Sequence, residues 1–185
     1  MNNDFKITLQ KTTEEHLPKI FEIAFGQNSD KKWFELDAPY FDDPKPQTYE
    51  KFLEDYGLKW AKDQNSYTIF WDDKIVGTCV AYFDDGKLKK WLELGICIYD
   101  STTWGKGVGT KAISLLTTIM FKRYTDIQRV GITTWSGNVG MMKVAEKLGF
   151  TLEARIRKVR YYKNEYFDSI RMGILRDEWD SGIYL

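Results

Sequence analysis

The chain has little of what metal, disulfide or histidine-based chemistry requires. Among 185 residues there is one histidine, His16, and two cysteines, Cys79 and Cys97. Each cysteine sits inside an apolar, strand-like run, where a free thiol acts as a small core side chain. There is no Cys/His ligand spacing, so a structural zinc site and a His-based triad are excluded and no metal is expected. Lys plus Arg and Asp plus Glu stand at 27 each, which leaves no net charge to draw in nucleic acid or an anionic membrane. No apolar run approaches the length of a bilayer span, and Met1-Asn-Asn-Asp-Phe-Lys6 lacks the charged-then-apolar pattern of a signal peptide. These absences lead us to expect a cytoplasmic protein with neither membrane nor nucleic acid as partner.

What is present is a globular composition. Hydrophobic residues make up 43% and charged residues 29% of the chain, a balance that folds rather than stays disordered. The length suits one domain, residues 1–185, with a substantial core. Seven Trp and eleven Tyr point to aromatic packing and an aromatic-walled cleft.

The most informative stretch is Glu93 to Thr110. An apolar β-prone run leads into a loop with Gly105, Gly107 and Gly109, and an amphipathic stretch begins at once. The first N–H groups of a helix have no partner inside it, the helix dipole adds partial positive charge there, and glycine lets an anion approach the backbone. The spacing is neither Gly-x-x-x-x-Gly-Lys-Ser/Thr nor Gly-x-Gly-x-x-Gly. Taken alone, the loop fits an anion cradle or a flexible turn before a helix.

Along the chain, Phe5–Leu9 alternates as a half-buried strand. Thr12 or Thr13 then caps a helix with Leu17, Ile20, Phe21 and Ala24 on one face, stopped by Gly26. Periodicity breaks up from Gln27 to Pro46 and returns in Tyr49–Trp60. Tyr67–Trp71 and Ile75–Phe83 read as a hairpin across Asp72-Asp73-Lys74, and Trp91–Tyr99 as a third strand. After the glycine loop, Val108, Ala112, Leu115, Leu116, Ile119 and Met120 mark a helical face. Arg129–Thr134 is a short strand, and Asn138–Leu148 a helix closed by Gly149. Phe150–Tyr162 and Tyr166–Leu175 are long strands turning at Lys163-Asn164-Glu165. The order β-α-α-β-β-β-α-β-α-β-β describes an α+β sandwich around a mixed sheet.

Several pieces of this order match one family. The arrangement resembles the GNAT superfamily of acetyl-CoA-dependent N-acetyltransferases, and within it the RimJ/RimL-like branch. Trp104-Gly-Lys-Gly-Val-Gly109 is similar to the Arg/Gln-x-x-Gly-x-Gly/Ala pyrophosphate loop, with Trp104 at the Arg/Gln position. Leu92-Glu-Leu-Gly95 resembles the strand just upstream. Asn138-Val-Gly-Met-Met-Lys-Val-Ala-Glu-Lys-Leu-Gly-Phe150 resembles Asn-x-x-Ser-x-x-x-x-Glu-Lys-x-Gly-Phe. Asp168, with Leu175-Arg-Asp-Glu-Trp179, is similar to the branch's C-terminal signature. The resemblance implies a mostly antiparallel mixed central sheet flanked by helices, and direct acetyl transfer to a primary amine in a ternary complex. The amine would be a protein or peptide N-terminus, a polyamine or a small amine. A second reading is an acetyl-CoA-binding sensor with little or no catalysis. Relatives are often homodimers, and the aromatic C-terminal strands with the Gly182-Ile-Tyr-Leu185 tail offer an interface.

The resemblance also carries site residues. Trp104, Gly105, Lys106, Gly107, Val108, Gly109 and Thr110 would hold the CoA pyrophosphate. The family's strand splays near Gly95–Ile98, so Ile96, Cys97 and Ile98 would pair with pantetheine. Asn138 is expected as a pantetheine ligand, a helix N-cap or both, and Lys143 or Lys111 as a 3′-phosphate ligand or a solvated lysine. Amines are mostly protonated near neutral pH, so a base is useful. Glu93 is the candidate, against the alternative of a partly exposed glutamate paired with Lys89 or Lys90. Cys97 is expected as a wall residue, since no neighbouring histidine would activate it. The chain departs from the family at Met141, where Ser is frequent, and at Ala145, where Tyr is. A thioether donates no proton, and Tyr124, Tyr162 or water are the replacements considered. Asp37, Asp42 and Asp43, beside Trp33, Tyr40 and Phe41, form either an acceptor wall or a solvated loop.

Overall fold

The computed structural model describes residues 6–179. Phe5, the expected start of the first strand, and the Gly182–Leu185 tail lie outside the described residues. Seven strands form one sheet in the order β1-β2-β3-β4-β5-β7-β6. They are β1 (Ile7–Lys11), β2 (Ser66–Trp71), β3 (Lys74–Phe83), β4 (Leu92–Ile98), β5 (Arg129–Trp135), β6 (Thr151–Tyr162) and β7 (Glu165–Leu175). Every neighbouring pair is antiparallel except β4 with β5, which is parallel.

Helices cover both faces of the sheet. On one side lie α1 (Leu17–Ala24), α2 (Tyr49–Phe52) and α3 (Leu58–Lys62), with a π-helical turn at Leu53–Gly57 joining the last two. On the other lie α4 (Val108–Arg123) and α5 (Val139–Lys147). The two cores follow this division. Leu92, Leu94, Val130 and Ile132 of the sheet pack with Val108, Ala112, Leu116 and Leu148. Leu17, Ile20, Phe25, Trp33, Phe52 and Tyr99 form the other core.

Local rules explain the element ends. Two-residue turning at Asp72-Asp73 closes the β2–β3 hairpin, with Asp72 in the left-handed region at φ 51. At the end of α5, Gly149 has φ 79, its N–H donates to Glu146 O, and the Phe150 N–H donates to Ala145 O. That paired set of bonds is the glycine-dependent helix stop read from the sequence. The helix expected over Tyr49–Trp60 is not uniformly α. The π turn widens it so that Tyr49, Phe52, Leu53, Tyr56 and Trp60 all pack toward the second core. On α4 the buried face also takes in Ile113, Ser114 and Thr117, which the apolar spacing alone had left out. Thr117 Oγ1 is satisfied at 2.8 Å by Ile113 O, which lets a hydroxyl sit in the core.

The C-terminal motif is structural. Arg176 donates from its guanidinium to Phe121 O and Tyr124 O at the end of α4 and to Ile127 O in the connection before β5. The Asp168 carboxylate accepts from Arg155 Nε at 2.5 Å and from the Lys158 N–H at 2.9 Å, where β6 bulges and Lys158 takes φ 56. β6 is a sheet edge, and this bulge with its basic side chains interrupts the exposed ladder.

Candidate active site

β4 and β5 pair only at Leu92–Leu94 with Val130–Ile132. Beyond them β4 continues to Ile98 against β3, while β5 continues to Trp135 against β7. The strands diverge, and a cavity of about 650 Å³ occupies the opening. Its walls come from β4, the glycine loop, the first turn of α4, α5, the end of β5, and the loop between α1 and α2.

The glycine loop is built as its composition suggests. Gly105 and Gly107 have φ 74 and 88, conformations in which L side chains are strained, and space is open where a Cβ would stand. Gly107 is the N-cap of α4. The N–H groups of Val108, Gly109 and Thr110 are therefore the ones without a partner inside the helix. Trp104, Gly105, Gly107, Val108, Gly109 and Thr110 all line the cavity. Lys106 does not; its ammonium lies over the Trp71 ring, 5.5 Å from the centroid. Lys143 lines the cavity from α5, and so does Lys147, which the sequence reading passed over. Lys111 is not a lining residue.

Ile96, Cys97 and Ile98 line the cavity in different ways. Because the Tyr99 N–H donates to Val76 O, alternation along an antiparallel strand turns the main chain of Cys97 toward β3 and that of Ile96 and Ile98 toward the opening. Ile98 O accepts from Trp104 Nε1 at 3.1 Å. Cys97 thus presents its side chain rather than its backbone. Burial, and then the Asp37 carboxylate, push its thiol well above the ordinary thiol range. Both effects favour the neutral thiol over the thiolate.

Glu93 is placed differently from either expectation. It is 1% exposed and is not among the residues lining the cavity. Its Oε1 accepts from Arg129 Nη1 at 2.8 Å and from Trp91 Nε1 at 2.6 Å, and its Oε2 from Thr133 Oγ1 at 2.9 Å. The lysine pairing is overturned: Lys90 bonds Asp126 instead, and the partner of Glu93 is the half-buried Arg129, which also engages Glu153. β4 alternates side chains between faces, which carries Glu93 away from α4 to the side where Arg129 reaches it across β5. Thr133, held by Glu93, does line the cavity.

Asn138 is an N-cap whose Oδ1 accepts from the Met141 N–H at 3.0 Å, while its Nδ2 donates to Leu36 O at 3.3 Å. Trp135 Nε1 donates to the same carbonyl at 3.3 Å. Met141 lines the cavity without offering a proton, and Ala145 is buried behind it. Neither tyrosine considered as a substitute is there. Tyr124 Oη donates to Asn65 and packs on Phe83, and Tyr162 Oη donates to Glu35. The tyrosines in the wall are Tyr40, Tyr56 and Tyr99, of which Tyr99 is buried and bonded to Thr78 Oγ1 at 2.6 Å.

The irregular segment after α1 divides. Asp37 lines the cavity with Trp33, Leu36, Ala38, Tyr40 and Lys45, whereas Asp42 and Asp43 are exposed and lie outside it. Lys45 was not foreseen from the sequence; the only signal is its place between Pro44 and Pro46. Among the described residues no group of three or more His, Cys, Asp or Glu side chains is gathered to hold a metal. No helix there is long and apolar enough to cross a membrane.

Backbone N–H groups at a glycine-rich helix start, open to a cleft between diverging parallel strands, are suited to an anionic group. Residues 6–151 match the family described as Acetyltransferase (GNAT) domain. The chain is 33% identical over 158 residues to the SPbeta prophage-derived uncharacterized N-acetyltransferase YokL of Bacillus subtilis (strain 168), covering 85% of this chain and 86% of that one. It belongs to the GNAT acetyltransferases. Among solved structures it is similar to spermidine N-acetyltransferase from Vibrio cholerae in complex with CoA and spermine, with a TM-score of 0.72, 18% identity and coverage of 93% and 96%. It is also similar to the yncA protein of Salmonella typhimurium with its cofactor acetyl-CoA, with a TM-score of 0.70, 18% identity and coverage of 95% and 96%. At these identities the two structures establish the GNAT fold.

Proposed function

We propose that the chain is an N-acetyltransferase of the RimJ/RimL-like branch, a single domain that transfers the acetyl group of acetyl-CoA to a primary amine within a ternary complex. One observation carries the reading. One cavity is lined both by the positive-φ glycines with the α4 N-terminus and by Asp37 with the aromatic rings of Trp33 and Tyr40. The first group suits a pyrophosphate and the second a cationic amine. Open space where Gly105 and Gly107 would carry a Cβ is the fit that a phosphate needs.

In this reading acetyl-CoA supplies the thioester that the amine attacks. The N–H groups of Val108, Gly109 and Thr110 hold pyrophosphate oxygens, with Lys143 and Lys147 adding positive charge from α5. Ile96 and Ile98 offer main-chain groups to pantetheine, and Cys97 and Met141 shape the channel. Glu93 is a positioning residue: it fixes Thr133 in the wall and balances Arg129, while the amine's proton leaves to water. The acceptor is a small amine, a polyamine or a peptide N-terminus, and the protein works in the cytoplasm, with a homodimer as its assembly.

The absent Ser or Tyr donor at Met141 and Ala145 favours a second reading, an acetyl-CoA sensor without turnover. CoA release followed with a thiol reagent across peptides, polyamines and amino acids decides between them. Release with any amine supports the enzyme; tight acetyl-CoA binding with no release from the whole panel supports the sensor. Glu93→Gln is expected to lower turnover and shift the pH–rate profile, and unchanged kinetics with several amines would remove Glu93 from the mechanism.

A further inference from the structure

Lys45 stands between Pro44 and Pro46 in a stretch with no helix or strand. Proline fixes its own φ and biases the residue before it toward extended backbone. Pro44-Lys45-Pro46 is therefore a stiff arm, and it points its lysine inward. The Lys45 side chain is 20% exposed, and its Nζ lies 2.8 Å from Asp37 Oδ2. The same ammonium sits 5.4 Å from the Trp33 ring centre and 5.7 Å from that of Phe34. A carboxylate on one side and aromatic faces on the other recognise an alkylammonium ion of any origin. Asp37 is in turn anchored to the reaction channel, since Cys97 Sγ on β4 donates to its Oδ1 at 3.8 Å. Asp37, Lys45, Trp33 and Cys97 line the one cavity.

We propose that this carboxylate–aromatic cage is the subsite for an ammonium group of the acceptor, and that Lys45 is a built-in occupant which a cationic alkylamine displaces. The inference rests on the acetyltransferase reading and deepens it by assigning the acceptor class. An intramolecular ammonium on a short arm has a high effective concentration. It keeps the Asp37 carboxylate, whose side chain is 39% exposed, ion-paired while the site is empty. An alkylammonium exchanges one ion pair for another as it enters, whereas an arylamine, neutral at neutral pH, gains nothing from the cage.

The test is ligand-observed NMR titration of the whole chain with butylammonium and with aniline, in the absence of acetyl-CoA, comparing wild type, Lys45→Met, Lys45→Arg and Asp37→Asn. Lys45→Met keeps the apolar stem and is expected to tighten butylammonium about 3- to 10-fold by removing its competitor, and Asp37→Asn to weaken it about 10-fold. Lys45→Arg keeps the charge and should follow wild type, and aniline should bind all four alike. The same ranking is expected in KM for an alkylamine that turns over. Thermal melts of the four proteins separate these effects from misfolding. Weaker or equal butylammonium binding by folded Lys45→Met, or indifference to Asp37→Asn, would overturn the occupant. Failure of CoA release with every amine would overturn the enzyme reading instead and leave the binding comparison to be judged by itself.

Discussion

The two walls of the cavity are made on opposite plans. The donor wall is main chain: Gly105 and Gly107 at positive φ, the α4 N-terminus, and the free edge of β4 at Ile96 and Ile98. The wall proposed for the acceptor is side chain: Asp37, Trp33, Tyr40 and Lys45, on a segment with only short turns of 3₁₀ helix and with Ala38 and Asp42 in the left-handed region. Backbone recognition suits a group that every substrate pair shares, because it depends on φ and on the absence of Cβ. Side-chain recognition suits the reactant that differs, because residues there can change without disturbing a helix or strand. On the proposed function, the comparison assigns specificity to the side-chain wall.

The largest effect is expected behind both walls, where β4 and β5 still pair. Arg129→Ala strands the Glu93 carboxylate, 1% exposed, without its cation, and should cost about 3–5 kcal/mol in urea unfolding. A loss near zero would show that Trp91 and Thr133 suffice to hold the carboxylate. Next comes the donor wall. Gly107→Val places a β-branched residue at φ 88 and should weaken CoA binding by calorimetry about 100-fold, combining backbone strain with a filled cradle. Tolerance of valine would break the description of that wall as main chain.

Smaller effects sharpen the contrast. Asn138→Ala removes the cap of α5 and the bond to Leu36 O, at about 1 kcal/mol in denaturant unfolding. Because Asn138 joins α5 to Leu36 O on the facing segment, CoA affinity and acceptor KM should move together, in contrast to the acceptor-only change at Asp37. Asp168, whose main chain bonds Ser136 beside Trp135 but which does not itself line the cavity, serves as a control. Its carboxyl is held below the usual range by the Arg155 guanidinium, and then by the Lys158 N–H. A depressed folded value means stabilisation that is present above the unfolded value, near 4, and lost as pH falls through the folded one. Asp168→Asn should flatten that acid limb of the thermal midpoint while leaving CoA affinity alone; an affinity change would tie the β6 bulge to the site.

The difference between the walls also explains what could be read from residues alone. The glycine loop, the α5 stop at Gly149 and the succession of strands and helices along the chain follow from φ preferences, capping and periodicity, which are local properties of the chain. Glu93 was legible as a notable carboxylate but not in its partner, because Arg129 meets it only after β5 docks beside β4. Lys90 is nearer in sequence and is bonded elsewhere. Lys45 was silent because periodicity says nothing in a segment that has none, and a lysine in a polar loop reads as solvated until a fold closes Trp33 and Asp37 around it. Tyr124 and Tyr162 failed as proton donors for the same reason: being tyrosine is local, but facing the cavity is not.

One carbonyl has reach beyond its size. Leu36 O, on the acceptor segment, receives Asn138 from α5 and Trp135 from the end of β5, so one peptide unit is held by elements that frame the donor end. The halves of the site are then partners in a thermodynamic cycle rather than neighbours. Whatever factor acceptor binding puts on CoA affinity through that peptide, CoA must return to the acceptor in equal measure. Order of addition in such a cycle is a matter of rates, while the coupling itself belongs to the equilibrium and is measurable from either side.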